Sequence, residues 1–199
     1  MPLSSCKGIF CIEGDWWGIR DTTTVEPMLQ LLQRIHNNKL KYIRRDAATS
    51  EELDFYLNKW AQEAQKDYAI LYLGFHGDPG SIKFGDKRKT GSNVTLDWIE
   101  ERLEGKDMTE RLIHFGSCST LDVNGNRLNS FIRRTGVDAV TGYRIDVEWT
   151  ESAAFETILL DMMQYYTFTL KGLHAMEKRI YREAGGLARK LQFRIITRK

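Results

Sequence analysis

Apolar and polar positions along this chain follow two periods, and the switches between them divide it into short buried runs and amphipathic stretches. Gly8 to Ile12 is a short apolar run that reads as a strand, followed by a loop rich in Gly, Asp and Trp. From about Thr24 the spacing becomes helical, with Met28, Leu31, Leu32 and Ile35 on one face and Pro27 in the first turn, where its missing N–H does no harm. Leu40 to Arg44 reads as a second strand. Thr49-Ser50-Glu51-Glu52 is a capping box, and Leu53, Tyr56, Leu57, Trp60, Ala61 and Ala64 then recur as one side of an amphipathic helix. Tyr68 to Phe75 is continuously apolar, as a parallel strand buried on both faces should be, and ends in His76-Gly77.

The second half repeats the alternation. Gly80 to Gly91 reads as a hairpin excursion, and Thr95 to Leu103 as a helix with Leu96, Ile99 and Leu103 inward. Leu112 to Phe115 is another buried strand, ending in Gly116-Ser117-Cys118. Leu128, Phe131 and Ile132 mark a helix, Val137 to Gly142 a strand, Ser152 to about Phe168 a long apolar helix, and Phe193 to Thr197 a last strand. Strands alternating with helices call for an α/β fold, a three-layer sandwich with a mostly parallel sheet covered on both faces. Ligands of such sheets sit at the carboxyl ends of the strands.

With 199 residues and 42% hydrophobic positions, the chain suits one domain over residues 1–199, and it carries no repeat or Pro-rich linker. No apolar run approaches the roughly 18 residues of a membrane span, and the opening lacks a signal-peptide pattern. A soluble, cytoplasmic protein with no membrane partner is expected. The three cysteines, Cys6, Cys11 and Cys118, form no CxxC pair, so neither a disulfide framework nor a metal site is expected, and no motif calls for a cofactor. Lys171 to Lys199 holds nine Lys/Arg against two acidic residues, a net +7, within an overall charge of only +2. Its Leu173, Met176, Ile180, Tyr181 and Leu187 follow a core-facing pattern, so the excess reads as a solvated basic face and nucleic acid is not the expected partner.

Two residues of complementary chemistry fall just past the ends of buried strands, His76 and Cys118. A thiol becomes a strong nucleophile only as thiolate, and an imidazole can take its proton because its free pKa lies near neutrality. Gly77 leaves the backbone open beside the imidazole, so its N–H and that of Cys118 can serve as an oxyanion hole. His114, alternating with apolar residues inside a strand, reads as a buried core histidine. His36 and His174 read as structural, and Cys6 and Cys11 as packing residues.

Tyr72-Leu-Gly-Phe-His76-Gly77 resembles the apolar strand and His-Gly of caspase-like (clan CD) cysteine peptidases. Ile113-His-Phe-Gly-Ser-Cys118-Ser-Thr120 resembles their strand leading to the nucleophilic Cys. Gly136-Val-Asp-Ala-Val-Thr-Gly142-Tyr-Arg-Ile-Asp-Val-Glu-Trp149, then Ser152-Ala-Ala-Phe155, resembles a segment of the CHAT group. The resemblance spans about residues 68 to 165. It implies a caspase-hemoglobinase fold and a cysteine endopeptidase, with His76 as acid/base, Cys118 as nucleophile, and the Gly77 and Cys118 amides as oxyanion hole. The partners it implies are a protein or peptide substrate and, as in the CHAT group, a regulatory partner chain. The Gln-Ala-Cys-x-Gly pentapeptide of true caspases is missing, so specificity for Asp is not implied, and there is no small subunit or activation linker.

The loop after Val140 lines the pocket for the residue preceding the scissile bond in that family, and here it offers Arg144, Asp146 and Glu148. Two carboxylates suit a Lys or Arg side chain, whereas Arg144 alone would suit an acidic one; the balance favours a basic residue. Trp16 and Trp17 offer an aromatic wall, and Asp15 and Asp78 are candidates to orient the histidine. Two rival readings use the same fold, an inactive scaffold or partner-binding module and a nucleotide-binding flavodoxin-like module. Against the latter, no Gly-rich phosphate loop follows the first strand, where Glu13-Gly14-Asp15 stands instead.

Overall fold

The computed structural model describes residues 5–18, 20–84 and 93–198. Six strands form one sheet: β1 (Ile9–Glu13), β2 (Tyr42–Asp46), β3 (Ile70–Gly74), β7 (Leu112–Phe115), β8 (Ala139–Tyr143) and β9 (Phe193–Thr197). Their order is β2-β1-β3-β7-β8-β9. The first five are parallel and β9 runs antiparallel to β8. A small antiparallel sheet of β4 (His76–Asp78), β5 (Ser81–Lys83) and β6 (Asn93–Thr95) stands after β3. It occupies part of the expected excursion, of which residues 85–92 lie outside the described residues.

Period-two alternation sorts the strand residues between two cores. Ile9, Cys11, Ile70, Tyr72, Leu112 and Ala139 face α1 (Glu26–Ile35), α5 (Trp149–Met163), α6 (Leu170–Glu183) and α7 (Gly185–Lys190). Their neighbours Phe10, Ile12, Leu71, Leu73, Ile113 and Val140 face α2 (Ser50–Trp60), α3 (Leu96–Leu103) and α4 (Gly125–Thr135). The molecule is therefore an α/β sandwich with helices on both faces of a mostly parallel sheet. Its central strands are buried at every position because both their faces are covered, and they are mostly apolar for the same reason.

Three helices depart from the sequence expectation for local reasons. In α1 the inward residues are Met28, Leu29 and Leu32, while Leu31 and Ile35 are 50% and 54% exposed. Two apolar stripes compete on this helix, and polar anchors at its ends select one. The Val25 amide is held by Glu13 at 2.8 Å, and buried His36 meets Asp161 at 2.9 Å. Helix α2 stops at Trp60 and leaves Ala64 exposed in a following 3₁₀ turn; its capping box is formed as expected. Helix α5 ends at Met163, short of the expected Phe168; Gln164 turns its side chain back to the Leu160 carbonyl at 3.0 Å, and a separate helix, α6, starts at Leu170 with Thr169 capping it through the Gly172 amide.

No helix among the described residues is long and apolar enough to cross a membrane. The Ile113 side chain lies fully buried at the centre of the second core. Ile113→Ala should therefore lower the unfolding free energy by about 2–5 kcal/mol in urea titrations. A loss below about 1 kcal/mol would mean that the packing there relaxes around the gap.

Candidate active site

Because β1, β3, β7 and β8 are parallel, the loops that leave their carboxyl ends gather at one rim of the sheet. A cavity of about 360 Å³ opens there. His76 lines it from just past β3 and Cys118 from just past β7, with Trp16, Trp17, Glu148, Trp149 and Glu156 among the other walls. The two strands are direct neighbours, which brings imidazole and thiol to one opening from positions far apart in the chain.

The loop after β1 is fixed by one buried carboxylate. Glu13, only 1% exposed, accepts from Trp16 Nε1 at 2.6 Å, Thr24 Oγ1 at 2.8 Å, the Val25 amide at 2.8 Å and Arg44 Nε at 2.7 Å. Four donors fill both its oxygens. Trp16 is thereby held edge-on to Trp149, with ring centroids 4.8 Å apart, and its carbonyl faces His76 Nε2. A carbonyl only accepts, so this nitrogen carries the proton and Nδ1 keeps the basic lone pair. Trp17, 68% exposed, lies against the other side of the imidazole at 4.8 Å between centroids. The histidine is thus oriented by a backbone carbonyl and two indoles. Asp15 is exposed and Asp78 is paired with Lys83, so neither serves as the expected orienting carboxylate.

Cys118 sits on a tight turn. The next residue, Ser119, has φ of +52°, and the turn is held by the Ser119 amide on the Ile145 carbonyl at 2.9 Å and the Leu121 amide on the Tyr143 carbonyl at 3.0 Å. The sulfur accepts from the Val147 amide at 3.4 Å. Burial pushes the thiol up from its ordinary pKa; the Val147 amide draws it part of the way back, and the Asp146 and Glu148 carboxylates push it up further. Gly77 packs directly on this turn: a Cβ there would collide with the Cys118 carbonyl oxygen and come within 2.5 Å of Thr120 Oγ1. Glycine at 77 is what lets the two backbones meet.

Of the three expected substrate-binding residues, Glu148 lines the cavity. Arg144 and Asp146 are turned to surface partners instead, Arg144 to Asp122 at 3.4 Å and Asp146 to Ser119 Oγ at 2.6 Å. Sequence reasoning missed a buried cluster beneath the opening. Glu156, 3% exposed, accepts from the hydroxyls of Tyr72 at 2.6 Å and Tyr143 at 2.9 Å and from His114 Nε2 at 3.2 Å. His114 Nδ1 meets Thr141 Oγ1 at 2.9 Å. The expected core histidine is thus part of the cavity's foundation. Burial, and then Glu156, push both tyrosines well above their ordinary pKa, so they remain neutral donors. The available signal for Glu156 was a lone acid inside the apolar run Ala153-Ala154-Phe155-Glu156-Thr157-Ile158-Leu159. Among the described residues no group of three or more His, Cys, Asp or Glu is placed to hold a metal ion.

A family model described as DUF6642, a family of unknown function, matches residues 6–196. The chain belongs to the DUF6642 family. No curated protein matches this DUF6642 chain.

Two measurements test this geometry. Glu13→Ala strands the Trp16 indole N–H, the Val25 amide and Arg44, and should cost about 3–5 kcal/mol in unfolding free energy with a shift of tryptophan emission; an unchanged emission maximum would show that the loop is held by other contacts. Iodoacetamide should alkylate Cys118 with an apparent pKa above that of a cysteine in an unstructured peptide. Since the carboxylates disfavour thiolate, Asp146→Asn and Glu148→Gln should each lower that pKa. A wild-type value below the peptide's would contradict the electrostatics described here.

Proposed function

We propose that this protein is a cysteine endopeptidase of caspase-hemoglobinase-like fold, with Cys118 as nucleophile and His76 as acid/base. The observation that carries the reading is that an imidazole and a thiol from the carboxyl ends of neighbouring parallel strands line one open cavity. A mostly parallel sheet with helices on both faces is compatible with that fold, as the resemblance of the motifs around His76 and Cys118 implies.

In this mechanism His76 Nδ1 takes the proton from Cys118 Sγ as the sulfur attacks the substrate carbonyl carbon, and the carbonyl electron pair moves onto oxygen. The Gly77 and Cys118 amides receive that oxyanion. As the tetrahedral centre collapses, the C–N bond breaks and the imidazolium gives its proton to the departing amine. A water molecule, deprotonated by the same imidazole, then cleaves the thioester, releasing the acid and restoring the thiol. The partner is a protein or peptide substrate.

A second reading, a non-catalytic partner-binding module, is favoured by the upward push on the Cys118 thiol and by the engagement of His76 Nε2 with Trp16 rather than with sulfur. Peptidyl acyloxymethyl ketones separate the two. Under the peptidase reading they label Cys118 much faster than Cys6 or Cys11, and Cys118→Ala and His76→Ala lower peptide hydrolysis by at least about 100-fold. Equal labelling of the three thiols, with hydrolysis indifferent to both substitutions, would leave the module reading.

A further inference from the structure

The walls of the cavity beside Cys118 carry formal charge of one sign. Glu148 stands at its exposed rim and Glu156 at its buried base, and among the described residues that line it there is no Lys or Arg. The rest of the lining is largely aromatic and small: Trp16, Trp17 and Trp149 around the opening, with Gly116 beside Tyr72 lower down. Gly116 belongs to this design, because a Cβ there would collide with the Tyr72 hydroxyl that reaches Glu156.

Glu156 accepts three hydrogen bonds and, among the described residues, has no Lys or Arg partner. Its donors are two tyrosine hydroxyls, both held neutral, and one imidazole N–H. Each of the other buried carboxylates among the described residues has an arginine: Glu13 has Arg44, Glu100 has Arg127 and Arg134, and Asp138 has Arg198. Of these four, Glu156 alone lines the cavity beside Cys118. A carboxylate without a Lys or Arg partner below a ring of indoles is a site for a group combining positive charge with a flat or elongated apolar stem.

We propose that the cavity takes the guanidinium or ammonium group of a substrate's arginine or lysine, with Glu156 as its base and Glu148 at its mouth. This rests on the peptidase reading, in which the basic residue precedes the scissile bond and its side chain enters the cavity beside Cys118. The assignment moves the recognition of positive charge away from Asp146, which is occupied by Ser119, and onto a helix α5 residue locked by β3, β7 and β8. A rigid acceptor loses little freedom when the cation arrives.

The full chain is assayed with fluorogenic tripeptide amides that differ only in the residue before the cleaved bond, being Arg, Lys, norleucine or Asp. Benzamidine binding, followed by tryptophan fluorescence, is measured on the same samples and needs no catalysis. Arg and Lys substrates should exceed norleucine in kcat/KM by about 30-fold or more. Benzamidine should bind the wild type and lose affinity by a similar factor in Glu156→Gln. Glu148→Gln, an exposed change that leaves the buried cluster intact, should weaken both measurements to a smaller degree if Glu156→Gln fails to fold. Cleavage that favours norleucine or Asp overturns the proposal while leaving the peptidase reading in place. Benzamidine binding that requires Glu156, with no amide cleaved, supports the cationic site and removes the peptidase reading. Absence of both cleavage and benzamidine binding overturns the proposal.

Discussion

Glu13 ends β1 where a parallel sheet exposes its strand termini, and its position there fixes the loop that leaves β1 and, through Trp16, the setting of His76. A carboxylate buried to 1% exposure is tolerated only when its lone pairs are filled and its charge is met, and here the donors come from three different segments. Arg44 on β2 supplies the charge, Thr24 and Val25 bring the start of α1 onto the sheet, and Trp16 is drawn inward from an otherwise exposed loop. The same contacts select which stripe of α1 faces the core, so one ion pair links the rotation of a helix to the placement of an indole. Through the Trp16 carbonyl it also sets which nitrogen of His76 carries the proton.

Glu156 is held differently, and the contrast shows what the second buried carboxylate does. It ties β3 through Tyr72, β7 through His114 and β8 through Tyr143 to helix α5, so that one side chain fixes three strands against one helix. Stability alone does not account for such a choice. Burying a carboxylate costs several kcal/mol, and apolar residues of equal volume often serve a fold as well or better. The rest of this face makes that point, since Phe155, Leu159 and Leu160 on the same helix are fully buried with no polar group at all. On this part of α5 the polar cluster stands where the core meets the cavity, and the neighbouring positions are apolar.

How much of this is legible in the sequence depends on whether a signal is local. Strands β3 and β7 stand out as largely apolar runs and the α2 capping box is a four-residue pattern, so these elements are found at nearly their true bounds. His76 and Cys118 are legible because small residues interrupt apolar runs at those points, and the rule for parallel sheets puts both at one rim. Glu156 was not, because its partner Tyr72 lies 84 residues away and a lone acid in a helical segment reads as a solvated face. Arg144 and Asp146 failed as cavity residues for a related reason: charge in a loop names a candidate, but only the local turn decides which side chains look inward. There Ser119, in a left-handed conformation, offers its hydroxyl to Asp146 and takes that carboxylate out of play.

The electrostatics of Cys118 add a constraint that geometry alone does not show. Burial and two neighbouring carboxylates hold the sulfur as a thiol, and among the described residues the hydrogen bonds it makes are to Val147. Under the peptidase reading proposed above, proton transfer to His76 would run against the field at the sulfur, and each pKa unit of mismatch amounts to about 1.4 kcal/mol. A neutral occupant leaves that field unchanged. A positive charge drawn in between Glu148 and Glu156 opposes it, because the same carboxylate that disfavours the thiolate would then face a cation nearby. Binding energy from a side chain remote from the scissile bond would in this way lower the cost of forming the nucleophile, so that charge in the pocket affects the reaction rate as well as affinity.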